Sequence, residues 1–163
     1  MLKRRSVLML IEELTGASAI PLPIVALRLT GAAILCAVIG FEREATDHTA
    51  GLRTHMLVGV AAAVFALITL HIIDGYGDPS DAIRLDPIRL VEAVTQGVAF
   101  LVAGMIFMSK GRVHNLTTGA GLWLAGGIGL AAGLGFWAIA ALASVLGLVI
   151  VGLLRQFYHN RRA

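Results

Sequence analysis

Long apolar runs alternate with short polar clusters along this chain. Apolar stretches at 23–41, 56–73, 88–108, 116–132 and 136–154 each reach the roughly 17–25 residues that a helix needs to cross a hydrocarbon layer of ~30 Å. A backbone inside lipid must satisfy its own hydrogen bonds, so these runs predict helices, and the polar clusters between them predict helix ends. Three clusters stand out: Gly40-Phe41-Glu42-Arg43-Glu44, Ala50-Gly51-Leu52-Arg53-Thr54-His55 and Asn115-Leu116-Thr117-Thr118. Only Gly133-Leu134-Gly135 separates the last two runs, which predicts a tight antiparallel hairpin turned at glycine. The expected fold is an all-α membrane protein, a bundle of five transmembrane helices over 23–155.

Composition agrees with this reading. Hydrophobic residues make up 58% and charged residues 14%, where a soluble domain carries about 25% charge. The flanking segments are a tail at 1–22 and a basic tail at 156–163. Lys3-Arg4-Arg5 followed by Val7-Leu8-Met9-Leu10-Ile11 opens like a signal peptide, but Glu12 and Glu13 end the apolar stretch too early. A short amphipathic helix at the membrane surface is expected over 6–20 instead. Lys and Arg are retained on the cytoplasmic side during insertion. With five spans, Arg43, Arg53, Lys110, Arg112, Arg155, Arg161 and Arg162 share one side, against Arg28, Arg84 and Arg89 on the other. That bias predicts an outside N-terminus and a cytoplasmic C-terminus, with the terminal basic triplet arguing the other way. Basic helix ends also account for the net charge of +3, so no nucleic-acid partner is expected.

The fourth run carries small residues at four-residue spacing: Ala125, Gly129 and Gly133 on one face, with Gly127, Ala131 and Gly135 beside them. Such faces let helix backbones approach closely in lipid, within one chain or between two copies. Gly97 and Gly104 in the third run are read as packing positions of the same kind. That run also holds Glu92 and Gln96, four residues apart and on one helical face with Ala99 and Ala103. A carboxylate in a span pairs, lines a wet cavity or takes up a proton, while Arg89, three residues before Glu92, offers a plain local partner.

Glu42, Arg43, Glu44, Asp47 and His48, with Arg53, Thr54 and His55, crowd the first loop. This density suits a functional face, although Arg at helix ends also snorkels to headgroups. Asp74, Asp78, Asp81 and Asp86 in the second loop could draw hard cations but match no calcium-loop spacing. His71, His114 and His159 are scattered, which suits interfacial positions better than metal ligands. Cys36, the single cysteine, lies mid-span, which excludes an intramolecular disulfide or a cysteine-based zinc site and reads as packing. No metal ligand set is identified, and Walker, dinucleotide, His-Glu-x-x-His and serine-elbow motifs are all missing, so an enzyme is the least favoured class.

Five stretches in order carry a family resemblance over 25 to about 155: Arg28-Leu29 through Ile39-Gly40-Phe41-Glu42-Arg43-Glu44; Ala50-Gly51-Leu52-Arg53-Thr54-His55; Asp86-Pro87-Ile88-Arg89; Gly97-Val98-Ala99-Phe100-Leu101-Val102-Ala103-Gly104; and Leu116-Thr117-Thr118-Gly119-Ala120-Gly121-Leu122-Trp123. The chain resembles the membrane domain of the MgtC/SapB family, bacterial inner-membrane proteins associated with magnesium homeostasis and growth under magnesium limitation. The resemblance implies five helices and a cytoplasmic C-terminus. Departures from the family pattern are Ala99 and Val102 for two glycines, Asn115 for a glycine, Gly119 for an alanine, and Glu92 where many members are apolar. Only 156–163 follow the last run, so the soluble C-terminal domain of some members is expected to be absent.

The expected function is that of an accessory or regulatory membrane protein of magnesium and ion homeostasis, working without a resident cofactor. Its face would comprise Glu42, Arg43, Glu44, Arg53, Thr54, His55, Thr117 and Thr118. The partners expected are the bilayer and another membrane protein or a second copy, with Mg²⁺ as a sensed ion. The alternative is a cation or proton transporter whose path uses Glu92, Gln96 and the second-loop aspartates.

Overall fold

The computed structural model describes residues 20–76, 86 and 88–159, the side chains of 75–76 and 153–159 excepted. Its elements are α1 (Leu22–Ala45), α2 (Leu52–Tyr76), α3 (Ile88–Met105), the strands β1 (Phe107–Ser109) and β2 (Arg112–His114), α4 (Leu116–Leu134) and α5 (Trp137–His159). The first four helices are long and apolar enough to cross a membrane, and the described apolar stretch of α5 is Trp137–Gly152. The protein is thus an all-α membrane protein, with five helices and one small hairpin among the described residues.

Three details differ from the sequence expectation. The third run stops being helical at Met105, and Phe107 to His114 form an antiparallel hairpin pairing Phe107 with His114, Met108 with Val113 and Ser109 with Arg112. Its two-residue turn, Lys110-Gly111, takes φ values of 50° and 73°, the left-handed pair that matches strand twist in tight hairpins. Phe107 and His114 stack at 5.0 Å across the open end. Secondly, the last helix runs to His159, so the expected tail at 156–163 begins as helix. Thirdly, helix α1 starts at Leu22, inside the expected tail, with Pro21 at its N-cap. The interfacial helix expected at 6–20 lies almost wholly outside the described residues, as do Asp78 and Asp81.

Helix α4 is the centre of the bundle and touches all four other helices. One face buries Ala125, Ile128, Ala131 and Ala132 against Ala32, Cys36 and Ile39 of α1, Ala63 of α2 and Ala140 of α5. Another meets α3, where Leu130 packs with Val94, Ala62 and Ala66. Space decides the glycines. A Cβ on Gly129 would strike the backbone of Gly59, and one on Gly133 would lie 2.7 Å from the Cα of Ala63. Gly97 and Gly104 have open space where a Cβ would stand, so in this chain neither is a packing position. Both lie on α3, whose side chains are mostly exposed, and Gly97 borders a groove of about 530 Å³ between α2 and α3.

The turn between α4 and α5 follows from Gly135. Its φ of 86° lets its own N–H donate to Ala132 and the N–H of Phe136 donate to Ala131 at 2.8 Å, the paired bonding of a glycine-terminated helix. Arg28 of α1 donates from Nη1 to the Gly133 carbonyl at 2.8 Å, placing a cation at the negative end of α4.

Gly129→Leu is expected to abolish a monodisperse fold in detergent, because overpacking of about 1–3 kcal/mol is a lower bound where the obstacle is backbone. Gly127, which has nothing within 4 Å, should accept alanine with an unchanged melting temperature. Equal melting of the two variants would contradict the close contact of α2 and α4.

Candidate functional site

The first and third polar clusters meet because α1 ends, α2 starts and α4 starts at the same end of the bundle. Arg43, in the last turn of α1, is only 4% exposed, His55 in the first turn of α2 is 0% exposed and Thr118 of α4 is 2% exposed. Arg43 donates from Nη2 to Thr118 Oγ1 at 3.3 Å. His55 Nδ1 lies 2.8 Å from the Gly51 carbonyl. A carbonyl only accepts, so Nδ1 carries the proton and Nε2 presents a lone pair. That Nε2 is buried without a hydrogen-bond partner, and the ring is near enough to Arg43 for the two to interact electrostatically.

Two glycines make room for the imidazole. A Cβ on Gly40 of α1 would stand 3.0 Å from the His55 Cβ and 2.8 Å from the Leu52 Cα, and one on Gly121 of α4 would stand 3.1 Å from Nε2. His55 is therefore wedged between α1 and α4 at the point where α2 enters. A third glycine serves the loop. Glu44 accepts the Leu52 N–H at 2.7 Å, capping α2 with a carboxylate, and a Cβ on Gly51 would collide with that carboxylate.

The loop is closed by short polar bonds. Thr46 Oγ1 lies 3.0 Å from the Glu42 carbonyl and 2.6 Å from His48 Nδ1. Thr49 donates to Asn115 Oδ1 at 2.8 Å, and Asn115 Nδ2 donates to the Met105 carbonyl at 3.0 Å. Asn115 thus ties the first loop to the end of α3. Its φ of 63° is left-handed, a conformation that Asn tolerates better than most side chains.

Of the eight residues expected on this face, Arg43, His55 and Thr118 form the buried centre. Glu42 and Thr54 are half-buried, while Glu44, Arg53 and Thr117 are exposed. Sequence reading of the site missed Thr46, Thr49 and Gly121, small or neutral residues whose roles depend on what meets them. Arg28 entered the sequence argument as a charge for orientation and as the start of the family resemblance, not as a contact between helices.

Residues Arg89, Glu92 and Gln96 lie elsewhere, exposed on α3. Asp86 Oδ1 accepts the Ile88 N–H at 3.0 Å and caps that helix. The local pair offered as one alternative for Arg89 and Glu92 is not formed among the described residues. Among the described residues, no group of three or more His, Cys, Asp or Glu is arranged to hold a metal ion.

A family model described as the MgtC family matches residues 29–160. The protein named "Putative magnesium transporter YhiD" of Escherichia coli strain K12 is 36% identical over 132 residues, covering 80% of this chain and 60% of that protein. The protein named MgtC of Brucella abortus strain 2308 is 38% identical over 135 residues, covering 83% and 53%. SapB of Bacillus subtilis strain 168 is 35% identical over 130 residues, covering 78% and 55%. The chain therefore spans little more than half the length of these curated relatives. No solved structure matches it.

Thr118→Val leaves the buried Arg43 group without this acceptor and should cost about 1–3 kcal/mol of stability. Thr117→Val, at an exposed position, should change stability by less than about 0.5 kcal/mol. Reversible unfolding in detergent measures both, and equal losses would mean that the Arg43–Thr118 bond holds nothing together.

Proposed function

The chain belongs to the MgtC family, and from that premise we propose that it is a bacterial inner-membrane accessory or regulatory protein of magnesium homeostasis. It acts by binding another membrane protein, without catalysis and without a resident cofactor, and Mg²⁺ enters as a sensed ion. The carrying observation is where the polar side chains are. Arg43, His55 and Thr118 are gathered at one end of the bundle, framed by the exposed Glu44, Arg53 and Thr117. Below them the helix contacts are made by glycine, alanine and aliphatic side chains. Cys36 and Ser144 there donate to helix carbonyls. Among the described residues, a single chain offers no polar route from face to face, which an ion path needs. A rigid polar end with exposed charges suits recognition at the membrane surface better than conduction.

A second reading, cation transport by several copies together, draws on the name of the Escherichia coli relative and on Glu92, whose exposed side chain would need neighbouring chains to enclose a path.

Mg²⁺ uptake into proteoliposomes separates the two. Uptake equal to that of empty vesicles, from folded protein, is expected; uptake above that level and lost in Glu92→Gln would establish the transporter. In cells that need this chain for growth at low magnesium, Arg53→Ala with Thr117→Ala is expected to remove growth support at unchanged protein level. Retained growth would take this face out of the function.

The orientation proposed is an outside N-terminus and a cytoplasmic C-terminus, so that the polar end faces the cytoplasm. A reporter fused after Ala163 should be active only in its cytoplasmic form, and activity of a periplasmic reporter there would reverse the assignment.

A further inference from the structure

Helices α2 and α3 both lean on α4 but leave space between themselves. Leu130 of α4 packs with Val94 of α3 and with Ala62 and Ala66 of α2, and beside that contact the small residues Ala61, Ala93 and Gly97 leave the groove of about 530 Å³ unfilled. Its lining runs from Arg89 to Leu101 on α3 and from Val58 to Thr69 on α2, ~18 Å and ~16 Å of helix. One leaflet of a hydrocarbon layer ~30 Å thick is ~15 Å deep, so the groove reaches from the start of α3 to about the midplane. Spread over that length, its volume makes a channel roughly 6 Å wide. A helix, roughly 10–12 Å across with its side chains, cannot enter it. Carbons in contact stand roughly 4 Å apart, so a single hydrocarbon chain can. Left empty, the walls would lose those contacts, and so apolar a space does not attract water.

The two ends of the groove differ. Toward the midplane its walls are Val58, Val98 and Leu101, while Asp86 and Arg89 stand at the membrane boundary where α3 begins. Asp86 Oδ1 accepts the Ile88 N–H, which leaves Oδ2 as an acceptor, and Arg89 makes no side-chain hydrogen bond or ion pair among the described residues. Opposite charges that are close but not paired with each other suit a headgroup carrying both signs. We propose that this groove is a lipid site, holding one acyl chain of a zwitterionic phospholipid with its phosphate on the Arg89 guanidinium and its ammonium on the Asp86 carboxylate. The guanidinium fork matches phosphate oxygens, and basic positions between membrane helices are where headgroups bind. The seated chain fills the space between α2 and α3. The site lies at the end of the bundle away from Arg43, His55 and Thr118, and it stands independently of the regulatory reading.

The test is native mass spectrometry of the full chain, reconstituted in vesicles of equal phosphatidylethanolamine and phosphatidylglycerol and released in mild detergent. One phosphatidylethanolamine per chain should be retained. Gly97→Leu sends a side chain into the groove from a position with nothing within 4 Å of the new Cβ, and should lower the ratio of lipid-bound to free chain at least about fivefold. Gly104→Leu, equally open but outside the groove, should leave that ratio unchanged. Arg89→Gln should lower it about tenfold. Asp86→Asn, which still caps α3, should remove the preference for phosphatidylethanolamine. Equal retention in Gly97→Leu and Gly104→Leu, or preferred retention of phosphatidylglycerol by the unmodified chain, would overturn the site. So would an unmodified chain that retains no phospholipid, or that carries a second copy or another polypeptide in place of one, whether or not the variants accumulate.

Discussion

Everything in this bundle depends on the contact of α2 with α4, where Gly129 lies against the backbone of Gly59. In lipid there is no hydrophobic drive between helices, so the association rests on dispersion, which falls off steeply with separation. Backbone touching backbone leaves no side chain to rearrange, and this fixes both the distance and the rotation of the pair. Gly133 then falls on Ala63 and Ala66, and Gly121 falls on His55. All are consequences of one face of α4 that carries small residues every fourth position. Because α4 also meets α1, α3 and α5, its placement sets where the other helices can stand.

The polar end is the costly part of this arrangement. Burying a guanidinium and an imidazole between helices is unfavourable unless their atoms find partners. The fold supplies the Thr118 hydroxyl, the Gly51 carbonyl and room left by Gly40 and Gly121. Of these only the Gly51 carbonyl is local, four residues from His55; Thr118 lies 75 residues from Arg43 in sequence. The site therefore forms only once α1, α2 and α4 have packed. In the same way Asn115 joins the first loop to the end of α3 with one side chain, using a left-handed backbone that few residues tolerate.

What the sequence revealed followed the range of the interaction. Helix existence depends on local hydropathy and length, and the five helices of the described residues were legible. The glycines of α4 were legible as a face because helical spacing is local, but their partners Gly59 and Ala63 were not. Gly97 and Gly104 looked the same on paper and face open space, since a small residue permits contact without requiring it. The hairpin after α3 escaped because its strands are three residues each and apolar enough to extend the third run; Lys110-Gly111 was its one local signal. Within the candidate site, charged residues could be named in advance. Which of them are buried could not, because burial of His55 rather than Arg53 depends on the rotation of α2 against Gly40 and Gly121, and burial of Arg43 depends on α4 bringing Thr118 to it.

Two polar features remain, at opposite ends of α3, and they make different demands. Near Met105 the helix is held by Asn115 to the loop that shelters Arg43 and His55, a tie completed within one chain. Near Arg89, the Asp86 carboxylate caps the helix, Arg89 borders the groove against α2, and Glu92 and Gln96 are exposed. Glu92 and Met105 are 13 residues apart, ~20 Å along a straight helix. Arg89 borders the groove between α2 and α3; a rotation that turned Glu92 and Gln96 toward it as well would take Val94 and Val98 off Ala62, Ala66 and Leu130. Inward packing of α3 is thus what obliges its polar face to look outward. The same helix is finished at one end by Asn115, while at the other Glu92 and Gln96 stand exposed and make no side-chain hydrogen bond among the described residues.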